Sequence, residues 1–227
     1  MKTAGLIALM FAMQLTTQNQ QTVTKLTPEQ YKGAKSPLVS KNAYVLSGSI
    51  WRDSSTIFVC WENPSTAFAE DMATVKEAIS ETWQAVSQLN FVGWQQCAPQ
   101  NAGIRILVDD SGPHTAGLGR NLNGMRNGMT LNFSFRNWSP DCQNTHRYCV
   151  YAIAVHEFGH AIGFAHEQNR ADAPGECRQQ SQGSGGDLLL TPYDPGSVMN
   201  YCNAQWNNNG QLSRLDVAAV EELYGTR

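Results

Sequence analysis

Three histidines between residues 156 and 166, together with Gly163, constrain the fold of this chain more than any other feature. His156 and His160 are four residues apart, so on a helix their imidazoles lie on the same face, one above the other. Gly163 can adopt a positive φ, which ends a helix and lets the chain turn sharply. That turn can bring His166 beneath the other two rings. The segment therefore predicts a helix that stops at Gly163 and three imidazoles that converge.

The converging imidazoles predict a metal site. Zinc binds nitrogen ligands at about 2.0–2.1 Å, and rings from adjacent helical turns can meet that geometry. Three protein ligands leave one position for water, as in catalytic rather than structural zinc. Glu157 is rotated by about 100° around the helix from His156, so it borders the metal without being forced to bind it. We therefore expect one catalytic Zn²⁺ held by His156, His160 and His166, with Glu157 as the catalytic base.

The other two histidines lack this pattern. His114 and His146 show no spacing that would place them with a second ligand. We interpret both as surface residues or residues with local hydrogen bonds, outside the metal site.

Composition and charge narrow the class of protein. Hydrophobic residues make up 41% and charged residues 15% of 227 residues, which is typical of a globular chain with one sizeable core. The net charge is −3, and the sequence contains no run of Lys or Arg. It therefore gives no electrostatic reason to expect nucleic acid or an anionic membrane as a partner.

The N-terminus has the pattern of a secretory signal peptide. Lys2 precedes an apolar stretch over residues 4–15, which is too short to span a bilayer as a helix. We interpret residues 1–20 as a signal peptide, 21–46 as a short pro-segment or linker, and 47–227 as the functional domain. Export would place the protein outside the cell, or in the periplasm of a bacterium. The alternative is an ordinary apolar segment that docks on the domain.

Six cysteines suit an exported protein. None forms a C-x-x-C pair, so neither a cysteine zinc knuckle nor a thioredoxin-type redox motif is indicated. An even count predicts three disulfides, for which fifteen connectivities are possible.

Hydrophobic patterns predict both helices and strands in the first half of the domain. β-branched and aromatic residues predict strands over Thr56–Trp61 and Ile104–Val108. Apolar residues at three- and four-residue steps predict one long helix over residues 66–86. The alternating run Met129–Phe133 predicts an edge or half-exposed strand.

The second half is predicted to be less regular. Residues 151–162 have the composition of a helix, whereas residues 171–187 are rich in Gly, Gln and Ser and predict little regular structure. The last helix opens with Ser213 and Asp216 in a capping-box arrangement and stops at Gly225.

The histidine segment resembles a family signature. H-E-x-x-H-x-x-G-x-x-H is typical of the metzincin metallopeptidases, which also have a methionine turn beneath the zinc. Ser197–Tyr201 supplies a matching turn. Within the metzincins the sequence is most similar to the astacin family, because Glu167 follows the third histidine and Tyr201 ends the turn.

The resemblance extends over residues 47–225 and implies an α+β fold of the metzincin type. An upper subdomain, to about residue 163, would hold a twisted mixed sheet and two long helices above the cleft. A lower subdomain, residues 164–227, would be irregular and end in a C-terminal helix, with substrate in the cleft between.

The resemblance also implies roles for single residues. Met199 would form an apolar floor under the metal, and Tyr201 would be a swinging ligand and a donor to the transition state. Glu167 would anchor a buried mature N-terminus or a water network. Asn200 stands where the family has His, so any hydrogen bond from that ring is replaced or lost. Extended substrate would add as a strand along Met129–Phe133.

The disulfide pairing follows from the same resemblance. The family's cysteine beyond the final helix is absent, so Cys97 is expected to pair with Cys60. The remaining expected pairs are Cys142–Cys149, entering the metal helix, and Cys177–Cys202, joining the loop after His166 to the methionine turn.

The residues and the resemblance together imply a secreted zinc-dependent endopeptidase that hydrolyses extended protein or peptide substrates through a zinc-bound water activated by Glu157. We expect a monomer with no membrane association after export. Two alternatives stay open. One is a non-catalytic peptide-binding protein on the same scaffold, against which the presence of Glu157 argues. The other is a zinc amidase acting on a non-protein amide.

Overall fold

The computed structural model describes residues 43–51 and 55–227. The predicted signal peptide and most of the predicted pro-segment or linker therefore lie outside the described residues. Residues 43–46, the last four of that segment, pack on the domain, with Ala43 and Val45 buried. Tyr44–Val45 forms strand β1, which pairs antiparallel with strand β7, Leu188–Leu189. The folded body thus begins before residue 47.

Five further strands form one mixed sheet. They are β2 (Thr56–Trp61), β3 (Asn90–Gln96), β4 (Ile104–Val108), β5 (His114–Thr115) and β6 (Met129–Leu131). Their order is β3-β2-β4-β6-β5, and β5 alone runs antiparallel to its neighbour. The bounds of β2 and β4 are those that the hydrophobic patterns predict.

The predicted edge strand over Met129–Phe133 is wrong in both length and place. β6 ends at Leu131, is fully buried and lies between β4 and β5. Asn132 ends it because its side-chain oxygen accepts hydrogen bonds from the main-chain nitrogens of Ser134 and Phe135, which turns the chain. The edge next to the metal helix is β5, so β6 does not supply the free edge on which the predicted addition of substrate along residues 129–133 depends.

The hydrophobic patterns of the sequence do not predict strand β3. Gly93 and Trp94 both have positive φ, 98° and 65°, at a register shift opposite Val59 and Cys60. This irregularity is a β-bulge, which breaks the period-two alternation by which a strand is recognised. Just beyond it the disulfide Cys60–Cys97 joins the two strands.

The predicted long helix over residues 66–86 is broken. A turn of 3-10 helix, Thr66–Phe68, leads into α1, Ala69–Glu81, and α2 follows over Trp83–Val86. At the break, Thr82 has φ −115° and ψ −102°, and its hydroxyl donates to the carbonyl of Ala78 at 2.6 Å. Such a side-chain bond competes with the main-chain ladder.

Helix α3, His146–Ala161, runs through the centre of the molecule and begins five residues earlier than predicted. Its Phe158 ring lies 5.4 Å from Phe91 and 5.8 Å from Trp94, between ring centroids. Burying a side chain of this size contributes about 1.5–3 kcal/mol, so α3 is held firmly on the sheet. Gly163 ends the helix with φ 105°, as predicted.

The chain after Gly163 is mostly irregular, as predicted. It contains the single turn α4, Gly175–Arg178, then β7 and the final helix α5, Arg214–Tyr224. The predicted capping box of Ser213 and Asp216 is confirmed, and Gly225 ends α5 with φ 77°. All three expected disulfides are confirmed. The arrangement is the predicted α+β fold, and no described helix has the length and apolar character needed to cross a bilayer.

Candidate metal centre

The three predicted ligands meet at one point. Nε2 of His166 lies 3.2 Å from Nε2 of His156 and 3.1 Å from Nε2 of His160. All three side chains are buried. Among the described residues, no other group of three His, Cys, Asp or Glu side chains could hold a metal ion.

Each ring is oriented by a main-chain carbonyl oxygen. A carbonyl oxygen only accepts hydrogen bonds, so each Nδ1 carries the hydrogen and each Nε2 presents a lone pair. The acceptors are Val198 for His156 at 2.7 Å, Phe164 for His160 at 2.8 Å and Gln182 for His166 at 3.0 Å.

This protonation pattern excludes hydrogen bonds as the cause of the short Nε2–Nε2 distances. Two nitrogens that both present lone pairs cannot hydrogen-bond to each other, and they repel unless a cation lies between them. Tetrahedral zinc with bonds of about 2.0–2.1 Å places two nitrogen ligands about 3.3 Å apart. The separations of 3.1 and 3.2 Å are close to that value. The donor set therefore fits a zinc ion and leaves a fourth position open.

Burial keeps the ligands in the neutral form that binds metals. Desolvation, followed by the charge of His166, lowers the pKa of His156 to about 3. Desolvation likewise lowers the pKa of His160 and of His166. Protons therefore compete weakly for these nitrogens at neutral pH.

Glu157 lies beside the ligands and is 4% exposed. Its Oε2 has no hydrogen-bond partner among the described residues, and desolvation raises the pKa of this carboxyl to about 8. Burying a carboxyl without a partner is costly. A buried carboxyl with a raised pKa is typical of a site at which protons are transferred.

Tyr201 completes the group around the ligands. Its ring centroid lies 4.5 Å from that of His166 and 5.3 Å from that of His156, against which the ring stacks. Burial, followed by the charge of Glu157, raises the pKa of Tyr201 to about 12. The hydroxyl therefore stays protonated at neutral pH and can donate a hydrogen bond.

The methionine turn packs beneath the metal helix. Met199 is 1% exposed, and a Cβ added to Gly159 of α3 would clash with its Sδ. The turn is held from below by Asp216, which accepts from the nitrogen of Val198 at 3.0 Å and from the hydroxyl of Ser197 at 2.7 Å. The sequence assigned Asp216 only to a helix cap. No local pattern reveals that it also fixes the carbonyl group that orients His156.

Asn200 departs from the family pattern and Glu167 follows it, and both have clear partners. Asn200 donates to the hydroxyl of Tyr193 and to the carbonyl of Asp194, both at 2.9 Å, so its side-chain amide nitrogen has two partners. Glu167 is buried, and its Oε2 forms an ion pair with Nε of Arg170 at 3.1 Å, without hydrogen-bond geometry. Desolvation outweighs that cation and raises the pKa of Glu167 to about 9. The predicted contact of Glu167 with a mature N-terminus remains a prediction.

The metal ligands open onto a cleft between the two subdomains. It is lined from above by Pro113, His114, Thr115, Gly117 and Leu118, from below by Gln182, Gly183 and Ser184, and at its centre by Glu157, His160, His166 and Tyr201.

His114 and His146 differ in their relation to this cleft. His146 bonds to Asp71 of α1 at 2.8 Å and lies outside the metal site, as predicted, although its partner is distant along the chain. His114 is exposed and bonds to the carbonyl of Gly112 at 2.8 Å, yet it lies on β5 and lines the cleft. The sequence missed this placement because a two-residue strand has no detectable period.

Comparison with known families and sequences points to one group of proteins. A family model described as Astacin (Peptidase family M12A) matches residues 49–223. Zinc metalloproteinase nas-28 of Caenorhabditis elegans is 27% identical over 175 residues, which are 71% of this chain and 31% of that protein. Zinc metalloproteinase dpy-31 of the same organism is 28% identical over 139 residues, 55% of this chain and 21% of that protein. The chain therefore matches about a third or less of the length of these relatives.

Solved structures share the fold. Myroilysin is 17% identical with a TM-score of 0.57, and the alignment covers 80% of this chain and 98% of that one. High choriolytic enzyme 1, a hatching enzyme zinc-protease from Oryzias latipes (medaka fish), is 20% identical with a TM-score of 0.53 and coverage of 80% and 96%. At such identities the likeness concerns the fold alone.

Proposed function

Because the chain belongs to the astacin family of peptidases, we propose that it is a zinc-dependent endopeptidase acting on extended protein or peptide substrates. One observation carries the proposal: three buried imidazoles direct their Nε2 atoms at a common point in a cleft that also holds Glu157 and Tyr201. The residues proposed to hold the metal are His156, His160 and His166.

The proposed mechanism divides the work between the ion and two side chains. When bound, zinc supplies Lewis-acid activation of the attacking water and of the scissile carbonyl. Glu157 takes the proton of that water and passes it to the leaving amine nitrogen, which its buried and unpartnered Oε2 supports. Tyr201 donates its hydroxyl hydrogen to the developing oxyanion, a role supported by its raised pKa.

The substrate is proposed to lie along β5. This strand ends the sheet, and both of its residues line the cleft above Glu157. An extended peptide can add to such an edge as one more strand through main-chain hydrogen bonds. We therefore place the scissile bond between β5 and the loop of residues 182–184.

We also propose that the protein is exported. The pattern of residues 1–20 and the three disulfides support an oxidising compartment outside the cytoplasm.

Removing the metal should abolish cleavage. We expect the purified protein to hydrolyse members of a fluorogenic peptide library, to lose that activity on treatment with a strong chelator, and to regain it with one equivalent of zinc. Cleavage that continues after complete zinc removal would contradict the proposal. An absence of peptide cleavage by the zinc-loaded protein would instead favour the peptide-binding or amidase alternatives.

Replacing Tyr201 with phenylalanine should lower kcat by about 10²-fold, since one donor to an oxyanion is typically worth that much or more. Zinc content and KM should change little, because the ring and its stacking remain. Tyr148→Phe is the matched control: its hydroxyl bonds to Asn209, away from the cleft. Equal activity of Tyr201→Phe and the unaltered protein would rule out the proposed donor role.

A further inference from the structure

The third metal ligand depends on a side chain to which neither the sequence nor the proposed mechanism assigns a role. We propose that Asn169 is a positioning residue that orients His166 by holding the main chain of Gln182. Nδ2 of Asn169 donates to the carbonyl oxygen of Gln182 at 2.7 Å, and Oδ1 of Asn169 accepts from the nitrogen of Gln182 at 3.0 Å. The same carbonyl oxygen accepts the hydrogen bond from Nδ1 of His166 at 3.0 Å.

The other two orienting carbonyls are fixed by the fold itself. Phe164 follows the turn at Gly163, is buried, and its nitrogen donates to the carbonyl of Gly159 at 3.0 Å. Val198 is buried in the methionine turn, and its nitrogen donates to Asp216 at 3.0 Å. Neither acceptor can move without disturbing the core.

Gln182 has no such support. It is exposed, and residues 179–187, all of them described, form neither helix nor strand. Near its middle, the hydroxyl of Ser181 donates to the carbonyl of Gln168 at 3.3 Å, a longer bond than the two from Asn169 to Gln182, and the segment is also anchored at its two ends. The disulfide Cys177–Cys202 precedes it, and Asp187 at its end accepts from the nitrogen and the hydroxyl of Ser47.

Glycine makes the middle of this segment easy to displace. Gly183 has φ 68°, and Gly185 and Gly186 follow two and three residues later. Glycine loses more conformational freedom on ordering than any other residue, so a loop of this composition needs a specific contact to hold one carbonyl in place. The two bonds from Asn169 are that contact.

The consequence falls on the metal. The partner that accepts from the second nitrogen of a histidine ligand fixes its tautomer and ring direction, and losing such a partner typically costs about 10- to 100-fold in metal affinity. Without Asn169, the carbonyl of Gln182 would lose its fixed position, and Nε2 of His166 would no longer be held on the other two. The inference rests on the proposed metal site.

The test measures zinc binding rather than catalysis. We would compare Asn169→Leu with its parent, both in a Glu157→Gln background so that self-cleavage cannot interfere. Zinc affinity comes from competition with a chromophoric chelator. We expect a loss of about 10- to 100-fold in Asn169→Leu. Asn169→Ala, whose smaller side chain cannot overpack the site, should show the same loss.

The chain contains a matched control for this pairing. Asn63 makes the same two bonds to one residue, donating to the carbonyl of Val108 at 2.8 Å and accepting from its nitrogen at 2.9 Å. No metal ligand shares those atoms. We expect Asn63→Leu to keep the zinc affinity of the parent within about twofold, as for a substitution remote from the ligands.

The outcomes separate the two proposals. Parent-like zinc affinity in a folded Asn169→Leu or Asn169→Ala protein, checked by near-UV circular dichroism, would overturn the inference and leave the proposed function standing. An equal loss in Asn63→Leu would also overturn it. A parent protein that binds no stoichiometric zinc would overturn the proposed function and the inference together.

Discussion

Replacing Glu157 with glutamine is expected to lower kcat by about 10²- to 10⁴-fold while the protein still binds one zinc ion, because a positioned general base contributes a factor of that size. Glutamine has the shape of glutamate but cannot accept the proton of the attacking water. The side chain is buried and borders the ligands without belonging to them. Initial rates on a fluorogenic peptide and zinc content by mass spectrometry would measure the two effects.

The control for this substitution is Glu70→Gln. Glu70 is exposed in the first turn of α1 and is not among the residues that line the cleft. Its replacement should therefore leave the rate unchanged. If Glu157→Gln cleaves the peptide as fast as the parent, the assignment of the base is wrong. If it loses its zinc, the loss of rate says nothing specific about the base, and a titration with added zinc would restore the comparison.

Replacing His160 with alanine is expected to remove zinc and all measurable cleavage. Binding free energies of about 10–16 kcal/mol for four-ligand zinc sites correspond to about 2.5–4 kcal/mol per ligand, or roughly 10²- to 10³-fold in affinity. The loss should be at least this large because only three protein ligands are present. Dialysis against a moderate chelator, followed by metal analysis, would compare the variant with its parent.

Two other histidines serve as controls for His160→Ala. His114→Ala and His146→Ala remove the same side chain at positions without a converging Nε2, so both should retain one zinc ion through the same dialysis. A His160→Ala protein that keeps its zinc would show that the ion binds elsewhere. Loss of zinc from His146→Ala would point to a general loss of folding.

The parts of the site that sequence predicts well are local. His156 and His160 lie one turn apart on one helix, whose geometry alone sets how they are related, and Gly163 follows two residues after its end. The same holds for the capping box of Ser213 and Asp216, which are three positions apart. In each case the interacting atoms are too close along the chain for the rest of the fold to rearrange them.

The parts that sequence misses depend on distant residues. The carbonyls of Val198 and Gln182 orient histidines that are 42 and 16 residues away. Every residue has a main-chain carbonyl, so the sequence does not single out these two as the acceptors. Thr82 breaks a helix and Gly93 lies in a β-bulge. Both interrupt the regular spacing of apolar residues from which helices and strands are predicted. The order of β5 and β6 is a matter of topology, so the alternating run from Met129 could not show that it lies inside the sheet.

The family resemblance predicted the disulfide pairing and the place of Tyr201, which hydrophobic periodicity could not predict. It led to the choice of Cys60–Cys97, Cys142–Cys149 and Cys177–Cys202 among fifteen possible connectivities, and all three pairs are confirmed. It also drew attention to Tyr201, which lies 38% exposed beside two of the proposed ligands.

The origin of the three orienting carbonyls bears on how the protein matures. A growing chain that has emerged only as far as His166 carries every imidazole, yet the acceptors for two of them have still to be synthesised. Val198 and Gln182 reach their partners only after the lower subdomain has docked on α3. Because tight binding needs oriented, deprotonated ligands, the proposed zinc ion would bind tightly only to a chain whose lower subdomain is already in place. Retention of zinc would then report that the polypeptide has reached its finished form.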